Sequence, residues 1–143
     1  MSSVTDNKYV IFKLDKEYYG ISINNVISIE KMQGSTRIPN GPNYVKGVIN
    51  LRGEVITLID LRGKLNMETK EIDNNSRIMV VSHEEIMAGL IVDSSSEVIE
   101  IEKDNIDNPP SSYENDKLEY IYGIGKIENR LVILLDLSRI LEY

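Results

Sequence analysis

Gly47-Val48-Ile49-Asn50-Leu51-Arg52-Gly53-Glu54-Val55-Ile56-Thr57-Leu58-Ile59-Asp60-Leu61 returns later in the chain as Gly123-Ile124-Gly125-Lys126-Ile127-Glu128-Asn129-Arg130-Leu131-Val132-Ile133-Leu134-Leu135-Asp136-Leu137. The copies align without a gap. Gly47 falls on Gly123, Leu58 on Leu134, Asp60 on Asp136 and Leu61 on Leu137. Each reads as an apolar strand, a polar turn and a second apolar strand, then an Asp placed to cap a short helix.

Two upstream blocks extend the repeat. Gly20-Ile21-Ser22-Ile23 matches Gly89-Leu90-Ile91-Val92, and Val26-Ile27-Ser28-Ile29-Glu30 matches Val98-Ile99-Glu100-Ile101-Glu102. The blocks keep their order while their spacing grows, as expected when loops absorb insertions. The remaining strands follow from period-two apolar patterning. Tyr9 to Leu14 and Tyr18 to Ile23 form a hairpin around Asp15-Lys16-Glu17. Arg77 to Ser82 and Ile86 to Val92 form another around His83-Glu84-Glu85. Residues 31–46 and 103–120 carry Gly and Pro and read as loops. Asp136 to Leu141 reads as a short C-terminal helix, with Leu137, Ile140 and Leu141 on one face.

Each half therefore has about five short strands with one apolar face. Closing into a small barrel is the economical way to hide their edges. The expected fold is all-β: two tandem five-stranded barrels related by internal duplication, with a groove between them. The first barrel spans 9–66, a connector spans 67–76, and the second barrel with its helix spans 77–143. Exchange of strands or termini between the two is left open. Barrels this small are marginal alone, so the halves are expected to pack firmly together.

Composition narrows the function. The 143-residue chain is 41% hydrophobic and 27% charged, as a folded protein should be. The formal net charge is −7 and the basic residues are scattered, which disfavours a phosphate backbone as ligand. There is no cysteine, which removes disulfides, thiolate chemistry and cysteine metal sites. Met1 to Lys8 is polar, and no apolar run reaches the roughly 18–20 residues a membrane helix needs. A soluble, cytoplasmic protein without membrane insertion is expected.

Lys46-Gly47-Val48-Ile49-Asn50-Leu51-Arg52-Gly53, its following apolar strand and Asp60-Leu61-Arg62 resemble the CheW family, the coupling proteins of bacterial chemotaxis. Tyr19-Gly20-Ile21, Arg37-Ile38-Pro39, Val92-Asp93 and Gly123-Ile124-Gly125 support the resemblance, which runs from about Tyr9 to Leu141. It implies SH3-like barrels and an adaptor that links methyl-accepting chemoreceptors, at their cytoplasmic tip, to the regulatory domain of the histidine kinase CheA. It implies recruitment to membrane-bound receptor arrays, and a monomer that joins a larger assembly. Carried over residue by residue, the receptor-binding groove would involve Val26, Arg52, Val98, Asn50 and Gly47. Ile78, Val80 and Gly123 would help form the kinase-facing surface. The chain departs from the family pattern at Thr57, often proline, at Ser28, often acidic, and at Ser94-Ser95-Ser96. An array controlling surface motility is the alternative within this class. A small-molecule binder or enzyme using the groove is the alternative outside it.

The residues offer little chemistry. Asp60 and Asp136 form a symmetric carboxylate pair but lack the Asp-Thr/Ser-Gly turn of aspartic proteases, so capping is the expected role. His83 is the one histidine and sits in a polar turn. Gly123-Ile124-Gly125 lacks a third glycine and precedes a strand, so it is no phosphate loop. No catalytic residue, metal or cofactor is expected. Arg52 stands out as an interface anchor, because a turn tip exposes its planar donor fork.

Overall fold

Residues 7–39, 41–109 and 119–142 are described by the structure, a computed structural model. Two sheets account for the strands. Sheet I runs, in hydrogen-bonded order, β8 (Ser94–Glu100), β1 (Lys8–Leu14), β2 (Glu17–Ser22), β11 (Arg130–Leu135), β10 (Ile121–Ile127) and β9 (Ile106–Asp107). Sheet II runs β3 (Val26–Lys31), β6 (Arg77–His83), β7 (Ile86–Val92), β5 (Glu54–Asp60) and β4 (Val45–Leu51). Two one-turn helices, α1 (Leu61–Lys64) and α2 (Leu137–Ile140), follow β5 and β11. The fold is all-β with an internal duplication and a short C-terminal helix. No described helix is long and apolar enough to cross a membrane.

Both sheets share one plan: the third strand of a repeat, then a first–second hairpin, then the fifth and fourth strands. The hairpin in each comes from the other repeat. β1 and β2 pair with β8 and β11 of the second half, while β6 and β7 pair with β3 and β5 of the first. The sheets thus divide the chain differently from 9–66 and 77–143. Patterning marks strands and local hairpins, but partners far away in sequence are chosen by packing.

The chain crosses between sheets at the 3-10 turn Ile23–Asn25 and at the single residue Asp93. Three apolar clusters hold the result together. Ile49, Ile56, Leu58, Ile78, Val80 and Ile91 fill sheet II. Tyr9, Ile11, Ile101, Val132 and Leu134 fill sheet I. The largest cluster lies between them and includes Phe12, Leu14, Ile59, Leu90, Leu137 and Ile140. Burying one such side chain contributes about 2–3 kcal/mol. β1 and β6 are therefore apolar on both faces: Ile78 and Val80 point into one cluster, Met79 and Val81 into another.

The pairing also corrects the repeat alignment. Gly20 opposes Ile11 and Gly89 opposes Val80, so the two hairpins superpose on these pairs. Ile29 opposes Met79, and Val98 opposes Val10. Structurally, Val98 is thus the counterpart of Ile29, and Val26 that of Ser95. Val26 and Val98 are not equivalent, although the sequence match paired them. Both third strands carry a bulge at the equivalent place, so the structural offset is the same on either side of it, and the sequence match erred by aligning apolar residues three positions out of register.

The expected 103–120 loop contains a 3-10 turn, Lys103–Asn105, and the short strand β9. Its Pro110 and two serines lie outside the described residues. β9 bonds to β10 as Thr36, in the other loop, bridges to Val48 of β4. In each sheet the segment after the third strand thereby reaches the fourth strand at the opposite edge.

Candidate functional site

The β4–β5 hairpin closes through a two-residue turn, with Leu51 opposite Glu54. Arg52 and Gly53 have φ of 52° and 88°, the left-handed conformation that such turns demand. The Gly53 N–H donates to Asn50 Oδ1 at 3.0 Å, so Asn50 braces the turn. Arg52 projects from it with 72% of its side chain exposed. Its guanidinium reaches Glu30 Oε2 on β3 at 3.5 Å, the outer limit of a hydrogen bond. An exposed ion pair of that length is a loose tether.

Beside this turn, β3 presents a mixed surface. Val26 is half-buried and packs against the central cluster. Ile27 and Ile29 are exposed, and Ser28 Oγ is buried without a hydrogen-bond partner. Val98 is 53% exposed but belongs to the outer strand of sheet I, whereas Val26 lies on the outer strand of sheet II. Gly47 is buried with φ of 142°, and a Cβ there would lie 2.3 Å from the Thr36 carbonyl oxygen. Its glycine permits the Thr36 bridge. Gly123 has the matching position, where a Cβ would meet Ile106 Cγ2 at 2.7 Å.

Ile78 and Val80 are 0% and 1% exposed. They belong to the core of sheet II and offer a partner no area, so the expected kinase-facing surface does not pass through them. The resemblance implied a kinase-facing role for them, but β6 is covered on both sides. Exposed apolar residues of the second repeat include Ile86 on β7 and, in the other sheet, Leu131 on β11.

The carboxylates act as caps. Asp60 Oδ1 accepts from the Arg62 N–H at 3.2 Å, and Asp136 Oδ1 from the Ser138 N–H at 3.1 Å. His83 ends β6 with its ring 3.9 Å from Glu84. Among the described residues, no group of three or more His, Cys, Asp or Glu could hold a metal ion.

Two buried cations escaped the sequence reading. Arg62, 7% exposed, places Nη1 at 2.9 Å from Asp15 Oδ1 and 2.7 Å from Asp93 Oδ2, and its Nε donates to the Glu68 carbonyl. Burial pulls the guanidinium pKa down, but Asp15 and Asp93 more than compensate and hold it above its ordinary value. Lys64 donates to the Glu142 carbonyl at 2.8 Å and lies over the rings of Tyr44 and Tyr120, tyrosines at matching repeat positions. Both cations follow Asp60 within one helical turn, yet their partners are distant in sequence. That spacing gave no signal.

The CheW-like domain family matches residues 8–143. The chain is 38% identical to the chemotaxis protein CheW of Bacillus subtilis, over 96% of this chain and 88% of that protein. It is 39% identical to the chemotaxis protein CheW of Helicobacter pylori, over 99% and 87%. Among solved structures, it matches the scaffolding protein TtCheW of Thermoanaerobacter tengcongensis with a TM-score of 0.87 at 34% identity, covering 96% and 88% of the two chains.

Proposed function

The chain belongs to the CheW family, and we propose that it is a non-enzymatic adaptor coupling chemoreceptors to the histidine kinase CheA. The observation that carries this reading is a likeness spanning the whole folded unit, in sequence and in structure, to chemotaxis scaffolding proteins. The receptor tip, a helical hairpin, would engage the surface around the Arg52 turn. Arg52 supplies an exposed guanidinium, while Asn50 and Gly47 act by shaping the turn and its strand. Val26 and Val98 would add apolar area from the outer strands of the two sheets. The kinase regulatory domain would use exposed apolar side chains of the second repeat, such as Leu131 on β11, which pairs with the strand that carries Gly123, or Ile86 on β7. We read each sheet as a small barrel, supported by the bridges that Thr36 and β9 make to the opposite edge. Such an adaptor works in the cytoplasm at membrane-bound arrays.

The test is a binding titration of the purified protein against a receptor cytoplasmic fragment and a CheA regulatory-domain fragment, alone and together. The expected result is binding to each and a ternary complex. Binding to neither, or strict competition between them, overturns the coupling role.

A further inference from the structure

Asp93 is the whole of one of the two crossovers between the sheets, lying between Val92 of β7 in sheet II and Ser94 of β8 in sheet I. One carboxylate oxygen, Asp93 Oδ2, accepts from the Asp15 N–H at 2.7 Å and from Arg62 Nη1 at 2.7 Å, with Lys70 Nζ at 3.7 Å. Asp15 is the tip of the β1–β2 hairpin in sheet I, held at φ 57°. Arg62 belongs to α1, which continues β5 of sheet II. Its second bond from Nη1, to Asp15 Oδ1, closes a triangle across the two sheets. The Asp93 N–H meanwhile donates to the Lys13 carbonyl of β1.

The other crossover, Ile23–Asn25, is held differently. Its bonds include the Ser22 cap on Asn24, the Val26 N–H donating to the Ile23 carbonyl, and a neutral bond from Asn25 Nδ2 to the Ser82 carbonyl at 3.0 Å. Charge-assisted bonds are roughly twice as strong as neutral ones. Open volume flanks both crossovers, a cavity of about 410 Å³ adjoining Ser22 and Asn25 at the neutral one. At the ionic one, a cavity of about 260 Å³ adjoins Asp15, and one of about 490 Å³ adjoins Arg62, Lys70 and Asp93. Side chains next to such space are held by their bonds more than by close packing.

We propose that Arg62, Asp15 and Asp93 form a latch that fixes the angle between the two sheets. The central apolar cluster then acts as the pivot about which they rock when the latch is broken. Lys70 extends the same node to the connector, where it also meets Asp73 at 3.6 Å. The latch joins two sheets whose strands are exchanged, so a shift on one side is transmitted to the crossover of the other.

The chain lacks cysteine, so spin labels can be placed on Glu54→Cys in sheet II and Glu128→Cys in sheet I without background. The inter-label distance distribution is measured in otherwise native protein, then with Arg62→Met, Asp15→Asn and Asn25→Ala. Melting curves confirm that each is folded at the measuring temperature. The expected result is a broadened or shifted distribution in Arg62→Met, a smaller change in Asp15→Asn, and the least in Asn25→Ala. Asp15 is half-exposed, so Asp15→Asn remains decisive if Arg62→Met does not fold. A lower melting point with an unchanged distribution makes the triangle purely structural and overturns the latch. A larger change in Asn25→Ala than in the latch variants overturns it equally.

Discussion

The turns at the tips of β4–β5 and β10–β11 open on the same left-handed conformation but differ at their second residue, where Gly53 and not Asn129 has positive φ, and they are wired in opposite ways. Arg52 and Glu128 occupy the same left-handed position, at φ 52° and 48°, and the charges that follow are reversed: Glu54 in one, Arg130 in the other. Arg52 is tethered loosely to Glu30 at 3.5 Å. Arg130 lies 2.6 Å from Glu97 and stacks over the Tyr18 ring at 4.6 Å. Its pKa is raised, chiefly by the hydrogen bond to Glu97. Duplication kept the left-handed first position of the turn and not the second. The neighbouring strands then left one arginine exposed on a loose tether and committed the other to a close ion pair and a ring contact.

The largest effect that sharpens this comparison lies beneath the turns. Gly47→Ala should cost about 3 kcal/mol, because its φ is left-handed and the new Cβ meets backbone. Gly123→Ala should cost less, about 2 kcal/mol, because its φ is not left-handed although a Cβ would meet Ile106 Cγ2 at 2.7 Å and the Asp107 carbonyl oxygen at 3.1 Å. Urea unfolding of the two variants measures the difference, and equal losses would mean that the strands are loaded alike.

Arg52→Glu should weaken receptor binding by about 2 kcal/mol, roughly thirtyfold, and leave stability within about 0.5 kcal/mol. Parallel titration and melting curves separate the two quantities. If receptor and kinase binding fall together, or the melting point collapses, Arg52 is structural. Arg130→Ala should do the reverse, costing about 1 kcal/mol of stability with no change in receptor affinity. A receptor-binding defect there would erase the distinction between the turns.

The smallest effect concerns the connector. Asp73 accepts from the Asn75 N–H at 2.8 Å, and this bond, the largest lowering influence, helps depress its pKa. A depressed carboxylate stabilises its turn fully above the ordinary Asp value. That contribution is lost as pH falls through the depressed folded value. The Asn75 amide resonance should therefore shift only in distinctly acid solution. A shift centred at the ordinary value would mean that the turn is not formed.

Local elements were legible in the sequence where a local rule governed them. Asp60 and Asp136 cap helices as their position before an apolar turn implied. The hairpin turns at Asp15, Arg52, Glu84 and Glu128 fall where polar residues break apolar runs. Arg52 could be singled out because a turn tip exposes whatever it carries. Val26 and Val98 could be named but not matched, since apolar residues recur along both strands and fit more than one register, and only the pairing to β1 and β6 fixes it. Ile78 and Val80 are named through the family resemblance, and only the packing of two clusters, one on each face, shows that β6 has no outer face.

The sequence by itself determined the strands, turns and caps and the fact of duplication, because these depend on residues a few positions apart. Tertiary structure alone decided which repeat lends its hairpin to which sheet. It also decided that Arg62 closes onto Asp15 and Asp93. A period-two strand fits either sheet equally well by pattern. The choice is made by the apolar cluster that forms between the sheets, and by charges that must find partners once that cluster has shut water out.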